Sequence, residues 1–270
     1  MSNFADWGEN WVCDFIRGSA SPLPAEFSVG LLSAVADDSF TEVSWGNYSR
    51  KSVARSLAAW SGTQGFGSTD ASTGTSHTTA NNINVSFGNA NGAGTVNAVG
   101  LFAGNNLFAY CRLEVPIDVV SGDPVTLDPY SIVFTLGETG GLSDTLSNSL
   151  IDHIWRGVAY TYPTTTYLAL HTYPPSRSDA GTEVIGGGYS RVAIASSAWG
   201  NPSDGTISNS ATLTFSAPTS DWGTITGCGI FTNQTGGDLL WGAPVVAAKT
   251  ILEGGVAPRF NSGSITLQVM

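Results

Sequence analysis

The sequence is short of charge, cysteine and long apolar runs, and each shortage excludes a class of protein. Charged residues make up 11% of the chain, well below the roughly 25% that is typical of soluble domains. The formal net charge is −11. The basic surface that binds phosphate backbones is therefore missing, and we expect no nucleic-acid partner. No apolar run approaches the roughly 20 residues of a membrane-spanning helix, and no signal peptide is evident. We expect no membrane association.

The cysteines are too few and too irregular to define a site. There are three, Cys13, Cys111 and Cys228, and their spacing matches no zinc-binding pattern. We expect them to be small buried apolar residues in a reducing compartment, without a metal or cofactor.

What the sequence does contain is an internal repeat. Residues 41–50 (TEVSWGNYSR) align without a gap with residues 182–191 (TEVIGGGYSR), and seven of the ten positions are identical. Upstream of each block, an apolar segment ends in an Arg-Gly pair, Arg17-Gly18 and Arg156-Gly157. Further matching segments follow both blocks in the same order, which indicates a duplication.

The duplication predicts two units, residues 1–137 and 142–270. The glycine-rich segment Gly137–Gly141 would link them. The first unit has an insertion at about residues 61–82, rich in Gly, Ser and Thr, which predicts a long surface loop. Its counterpart, Gly200–Gly205, predicts a compact turn.

Each unit is expected to open with one short helix. In the second unit Leu146, Leu150 and Ile154 form an apolar face at helical spacing. Ser143 or Asp144 would cap the start of this helix, and Gly157 stands where a left-handed C-terminal cap is expected. The first helix, at about residues 5–17, carries an aromatic face made of Trp7, Trp11 and Phe15.

The rest of each unit predicts short antiparallel strands. Polar and apolar residues alternate with period two, as half-buried strands require, in Asn84–Phe87, Thr212–Phe215 and Ser264–Leu267. We therefore predict a mainly β protein of two tandem antiparallel β-sandwich or jelly-roll-like domains. The tryptophans beside these strands are expected in the core: Trp60, Trp199, Trp222 and Trp241.

No residue set predicts catalysis. The histidines His77, His153 and His171 form no paired metal motif, and no acidic residue lies near His77 in sequence. Three consecutive glycines, 186–188, are followed by neither a lysine nor a predicted helix, so a tight turn that orients Tyr189 and Arg191 explains them better than a phosphate loop.

Carboxylate pairs offer glycosidase chemistry only if they share a cleft. Glu42 and Glu183 are repeat equivalents, so we expect them far apart and structural, and Asp37–Asp38 supplies too few ligands for calcium. A Tyr-x-Arg pattern, Tyr48/Arg50 and its repeat, indicates a stacked or hydrogen-bonded structural pair. We predict no catalytic, cofactor-binding or metal-binding residues, and no enzyme activity.

The second unit resembles a known family. The segments that show the resemblance are the predicted helix and, after it, Tyr167–Thr172, Gly181–Arg191, Ile207–Phe215 and Gly236–Trp241. They are similar to small virion proteins of tailed phages, often labelled tail fibre proteins. The first unit is similar to these proteins only through its repeat relation to the second unit. The resemblance implies a structural or attachment role in the virion, after assembly in the host cytoplasm, and supplies no catalytic residues.

Two structural roles follow as hypotheses. The first is a capsid decoration or cement protein that binds the major capsid protein on the outer head surface and bridges its subunits, as a homo-oligomer whose weak sites act together. The second is a tail, baseplate or fibre component that presents a receptor- or glycan-binding face. A third class, a glycan depolymerase, would require an acidic pair in one cleft.

Overall fold

The duplicated chain folds into two β-rich halves. A computed structural model describes residues 2–36, 39–136 and 141–269. The pair Asp37–Asp38 and most of the predicted linker, residues 137–140, lie outside the described residues. Neither helix in the described ranges is long and apolar enough to cross a membrane.

The first half contains one helix and ten strands. The helix α1 spans Asp6–Ile16. The strands are β1 (Ser2–Phe4), β2 (Glu26–Ala36), β3 (Ser39–Glu42), β4 (Lys51–Ala54), β5 (Thr78–Ala80), β6 (Val85–Asn89), β7 (Gly94–Ala103), β8 (Asn106–Val119), β9 (Pro124–Leu127) and β10 (Val133–Thr135).

The second half repeats this order. The helix α2 spans Asp144–Ile154. Its strands are β11 (Thr165–Tyr173), β12 (Thr182–Glu183), β13 (Val192–Ala195), β14 (Thr206–Ser208), β15 (Leu213–Thr214), β16 (Gly223–Phe231), β17 (Leu239–Ile251), β18 (Arg259–Phe260) and β19 (Thr266–Gln268). A short 3-10 helix at Ser196–Ala198 follows β13.

The two halves have the same topology apart from β1, which has no equivalent strand in the second half. The central sheet of the first half has the order β1-β8-β7-β2-β3 with β4 also on β2, and that of the second half has the order β12-β11-β16-β17 with β13 on β11. Each half adds two two-stranded sheets, β5–β10 and β6–β9 in the first, β14–β19 and β15–β18 in the second. Every strand pair in the described ranges is antiparallel. The predicted tandem, mainly β fold is confirmed.

The register of the sheets confirms the duplication residue by residue. Gly30 pairs with Gly100 in the first half, and Ala169 pairs with Gly229 in the second. Both β7–β8 and β16–β17 also carry a four-residue bulge at the same point, residues 113–116 and 245–248. A bulge at the same position is typical of related modules, because bulges are kept within a protein family.

Both helices begin and end where their sequences predict. The Ser143 side chain accepts a hydrogen bond from the Leu146 backbone N–H at 3.1 Å and so caps α2. After the helices, Gly18 and Gly157 take φ values of 73° and 66°, the left-handed conformation that glycine adopts without steric cost.

The core lies between each central sheet and its two small sheets. Val85 and Phe87 of β6 are buried against β9, and they share one apolar cluster with Leu31 and Leu101 of the central sheet. Each half is therefore sandwich-like, with the second layer divided into two ribbons. The four tryptophans predicted for the core are all buried.

The predicted surface loop at residues 61–82 needs correction. Its last part contains β5, which pairs with β10 and is buried at Thr79, Ala80 and Asn81. The sequence hides this strand because Thr-Thr-Ala lacks apolar alternation, while the Thr79 hydroxyl is satisfied by donating to the Ser61 carbonyl at 2.7 Å. The remaining loop is not a free surface feature either, because it packs against the second half.

Candidate functional site

The two halves are held by a junction with approximate two-fold symmetry. Gly157 lies against the backbone of Arg55, and the repeat equivalents of these residues, Gly18 and Ser196, also lie together. Likewise, Arg156 of the second half contacts the loop of the first, while Arg17 of the first half donates to Asn201 of the second at 2.8 Å. Contacts exchanged in this way define an isologous interface, here within one chain.

Arg156 is the buried centre of this junction. Its guanidinium donates to Asp152 Oδ1 at 2.5 Å and to the Trp60 carbonyl at 3.1 Å. It also donates to the carbonyls of Ser68 and Asp70 in the loop, and Asp152 accepts hydrogen bonds from the Ser72 backbone N–H and hydroxyl. A buried ion pair that is fully hydrogen-bonded fixes geometry, because removing one partner leaves a charge uncompensated. The loop is thereby fastened to α2.

His77 and Arg55 add two further contacts across the junction. His77 is fully buried, and its Nε2 lies 2.6 Å from Asp144 Oδ1 at the start of α2. Arg55 donates to the carbonyls of His153 and Ile154 at the end of α2. Arg55 thereby satisfies carbonyls that the end of a helix leaves without an intrahelical partner. The acidic partner that the sequence around His77 lacks is thus supplied by the other half.

A duplicated Glu-Tyr-Arg cluster supports the edge of each central sheet. In the first half, Glu42 accepts hydrogen bonds from the Tyr48 hydroxyl at 2.7 Å and from Arg50 Nη2 at 2.7 Å. The Tyr48 hydroxyl in turn accepts from the Leu31 backbone N–H at 2.8 Å. The Arg50 guanidinium lies 3.5 Å from the centre of the Phe102 ring, a cation–π contact.

The second half repeats the cluster contact for contact. Glu183 accepts from Tyr189 and Arg191 at 2.9 and 2.7 Å, and Tyr189 accepts from the Leu170 N–H at 2.9 Å. Burial opposes ionisation of each glutamate, but the hydrogen bonds from arginine and tyrosine outweigh it and hold the pKa of both carboxyls below the usual value. Each glutamate is therefore held as an anion by partners of its own half.

The halves differ in which connecting segment supplies the tryptophan beside this cluster: Trp45 follows β3, whereas Trp222 precedes β16. Trp45 meets the Tyr48 ring edge-on at 5.8 Å, whereas Tyr189 is met edge-on at 5.3 Å by Trp222. The repeat alignment places Gly186 opposite Trp45, so each half takes its edge-on tryptophan from a different position of the repeat. The first half consequently lacks the first glycine of the triple, while Gly187 is matched by Gly46 and Gly188 by Asn47. All three glycines at 186–188 have positive φ, and the Gly187 carbonyl accepts from Trp222 Nε1 at 2.9 Å.

The other histidines form no catalytic arrangement. His153 stacks on Phe15 with ring centres 4.9 Å apart, and burial lowers its pKa. His171 is fully buried where the first half has Leu32, and neither ring nitrogen has a hydrogen-bond partner. Burial lowers the pKa of His171 to about 4. Within the described ranges, no group of three or more His, Cys, Asp or Glu side chains is placed to hold a metal ion.

An apolar groove opens between the central sheet and the β15–β18 ribbon of the second half. Its volume is about 590 Å³, against about 200 Å³ for the equivalent groove of the first half. The bulge at residues 245–248 (Val-Val-Ala-Ala) borders it, and Val246 is fully exposed. Exposed apolar patches of this kind mark interaction sites in folded proteins. Its lining includes Leu170, Ile225, Pro244, Val246, Pro258 and Phe260.

An exposed aromatic pair distinguishes the first half. Phe66, from the loop fastened to α2, stacks on Tyr130 with ring centres 5.7 Å apart and planes 9° apart. The two residues are 55% and 42% exposed. Tyr130 has a φ of 67°, which is an outlier for a bulky residue. Sequence reasoning missed this pair because its members are distant in the chain. The one signal was that Tyr130 aligns with Gly263.

The fold defines a class: a tandem β-module protein whose buried polar groups hold its two halves and its sheet edges together. Comparison with known families agrees. The family model described as Podophage GP4 fiber I protein gp80 matches the chain twice, over residues 3–135 and 141–268. The chain belongs to this family, in tandem duplicate. No curated protein matches the chain.

Family membership makes the chain a component of the phage virion, where it associates with other virion proteins. The resemblance seen in the sequence is confirmed. Because the family is one of fibre proteins, it supports the tail or fibre hypothesis better than decoration of the head.

Proposed function

We propose that the chain is a non-catalytic component of the phage tail fibre. The observation that carries the proposal is the fibre-family match over both halves. The junction supports it, because two modules locked through Arg156 and α2 move as one body. A fibre must hold its contact surface in a fixed position relative to the rest of the particle. Two modules packed on each other suit that task better than two modules joined only by a flexible linker.

The groove of the second half is the proposed assembly surface. It is larger than its repeat equivalent, and its border carries the exposed apolar bulge at residues 245–248. A neighbouring fibre protein, either another copy or a different chain, would bury Val246 there. Burial of one exposed valine stabilises a contact by about 1.5–3 kcal/mol, and repeated sites in one fibre reinforce each other.

The absence of catalysis is part of the proposal. Glu42 and Glu183 are each neutralised by an arginine of their own half. A glycosidase needs two carboxyls across one bond, one of them able to give up a proton near neutral pH. The lowered pKa of both glutamates is the opposite of what a general acid requires.

Electron microscopy of intact virions tests the location. Antibody fragments against the purified chain are expected to label the tail, with few copies per particle. Label spread over the head in hundreds of copies would contradict the fibre proposal and favour decoration.

A pair of substitutions tests the assembly surface. Val246→Asp should lower incorporation into particles, while Val115→Asp, in the bulge of the first half, should leave incorporation unchanged. Both valines are exposed, so neither substitution should change the unfolding midpoint. Equal incorporation of the two variants would contradict the assigned groove.

A further inference from the structure

From the geometry of Phe66 and Tyr130 we infer that the first half carries a saccharide-binding platform. The inference rests on the proposed fibre role and adds the chemical class of the ligand. Neither residue belongs to the core or the Glu-Tyr-Arg cluster. Their rings pack on each other, and the Tyr130 hydroxyl lies against Gly67, but both side chains remain largely exposed.

The two rings form a flat, stepped surface. Their centres are 5.7 Å apart with nearly parallel planes. With a stacking separation of ~3.5 Å, the lateral offset is about 4.5 Å. Rings displaced this far overlap little, so each keeps part of one face for a ligand. Sugar rings present flat C–H faces that fit such a surface, and two stepped rings can receive neighbouring residues of one glycan.

The platform is held rigid before any ligand arrives. Phe66 lies in the loop that Arg156 and Asp152 fasten to α2. Tyr130 is fixed from the other side, because its backbone N–H donates to the Asn81 carbonyl at 2.7 Å. A preorganised site loses less conformational entropy on binding, and aromatic side chains have few rotatable bonds to freeze.

The backbone conformation of Tyr130 is a second observation in favour of a binding role. Its repeat equivalent is Gly263, with a φ of 78° and the same backbone bond, here to the Asn209 carbonyl at 2.7 Å. The turn therefore suits glycine, yet the first half places a bulky, 42% exposed tyrosine there. Strain retained at an exposed site indicates a role beyond stability.

The surroundings favour a saccharide over other ligands. Ten of the 22 residues at 61–82 are Ser or Thr, and Asp70 is the single carboxylate among them. Hydroxyl-rich loops exchange hydrogen bonds with sugar hydroxyls. A nucleic acid is disfavoured by the net charge of −11. A protein partner would be expected to cover a larger apolar patch around the aromatic centre, whereas the sequence neighbours of Phe66 are Gly65 and Gly67.

The test uses the full chain on an array of bacterial surface oligosaccharides. Wild type is expected to bind a subset of the array. Tyr130→Gly and Phe66→Ala should each weaken that binding about tenfold or more. Tyr173→Ala, a 64% exposed tyrosine of the second half, is the matched control and should bind like wild type.

Stability measurements keep the result interpretable. Tyr130→Gly relieves the positive φ of the turn but removes the ring that packs on Phe66 and Gly67. These effects oppose each other, so its urea midpoint should stay close to that of wild type while binding falls. A wild type that binds no glycan on the array, or binding unchanged in both platform variants, overturns the inference. Either result leaves the tail location, measured by microscopy, as a separate question.

Discussion

Replacing His171 with leucine should remove a built-in acid sensitivity. His171 is fully buried, and the equivalent residue of the first half is Leu32. The ring stacks on Phe231 with centres 5.8 Å apart, and its two nitrogens lack partners. His171→Leu thus installs the side chain that the same architecture already holds in its other copy.

The magnitude follows from the pKa. Burial, with a smaller contribution from Arg191 and against the attraction of Glu183, lowers the pKa of His171 from 6.5 to about 4. A lowered histidine pKa stabilises the folded state fully above pH 6.5, and this stabilisation is lost as the pH falls towards 4. A difference of about 2.5 pKa units corresponds to about 3 kcal/mol.

Urea unfolding of wild type and His171→Leu from pH 8 to pH 4 measures the effect. At pH 8 the variant should already be more stable by about 1–2 kcal/mol, because a buried group without hydrogen-bond partners is removed. The gap should widen by about 3 kcal/mol as the pH falls to 4. Most other titrating groups are common to both proteins and cancel in the difference; Glu183, which interacts with His171, is the exception. Parallel stability curves for the two proteins would refute the reasoning.

Three further predictions concern stability. Arg156→Ala should lower the free energy of unfolding by about 3–5 kcal/mol, because Asp152 is left buried without its partner. Its partly exposed repeat equivalent, Arg17→Ala, should cost less than about 1 kcal/mol, and equal losses in urea titrations would contradict the asymmetry. Asn209→Ala should lower the free energy of unfolding by about 2–3 kcal/mol, measured by thermal unfolding. The Asn209 side-chain amide donates to the Asn261 carbonyl at 2.9 Å and accepts from the Ile265 N–H at 2.8 Å. A loss below about 1 kcal/mol would show that this bridge is dispensable. Glu183→Gln should reduce the loss of stability in acid, because the Glu183 carboxyl stabilises the fold above its ordinary pKa and loses this effect as it is protonated; an unchanged slope of stability against pH would argue against the cluster.

Local patterns were sufficient to predict the helices and most strand segments. The apolar spacing of Leu146, Leu150 and Ile154 and the cap at Ser143 define α2 almost to the residue. The identical block in the two halves predicts the Glu-Tyr-Arg cluster only in part. It shows the Tyr-x-Arg pair, but the bond from each tyrosine to a backbone N–H of β2 or β11 comes from tertiary packing.

Features that join distant segments could not be predicted. The loop at residues 61–82 has the composition of a solvated surface, yet it is ordered by Arg156, which is 84 or more residues away in sequence from its partners Ser68, Asp70 and Ser72. Phe66 and Tyr130 meet for the same reason. Composition indicates the local conformation that a segment favours. It does not reveal which distant residues the segment contacts in the fold.

The near-symmetric junction has an evolutionary consequence. In a dimer of identical chains every mutation appears twice, so a change that benefits one face is imposed on the other. Joining both copies in one polypeptide ends that coupling. Tyr130 can occupy a turn that remains glycine at Gly263, and one half can enlarge its groove while the other keeps a small one. The duplication within one chain thus allows the two copies of the module to differ while they remain packed on each other.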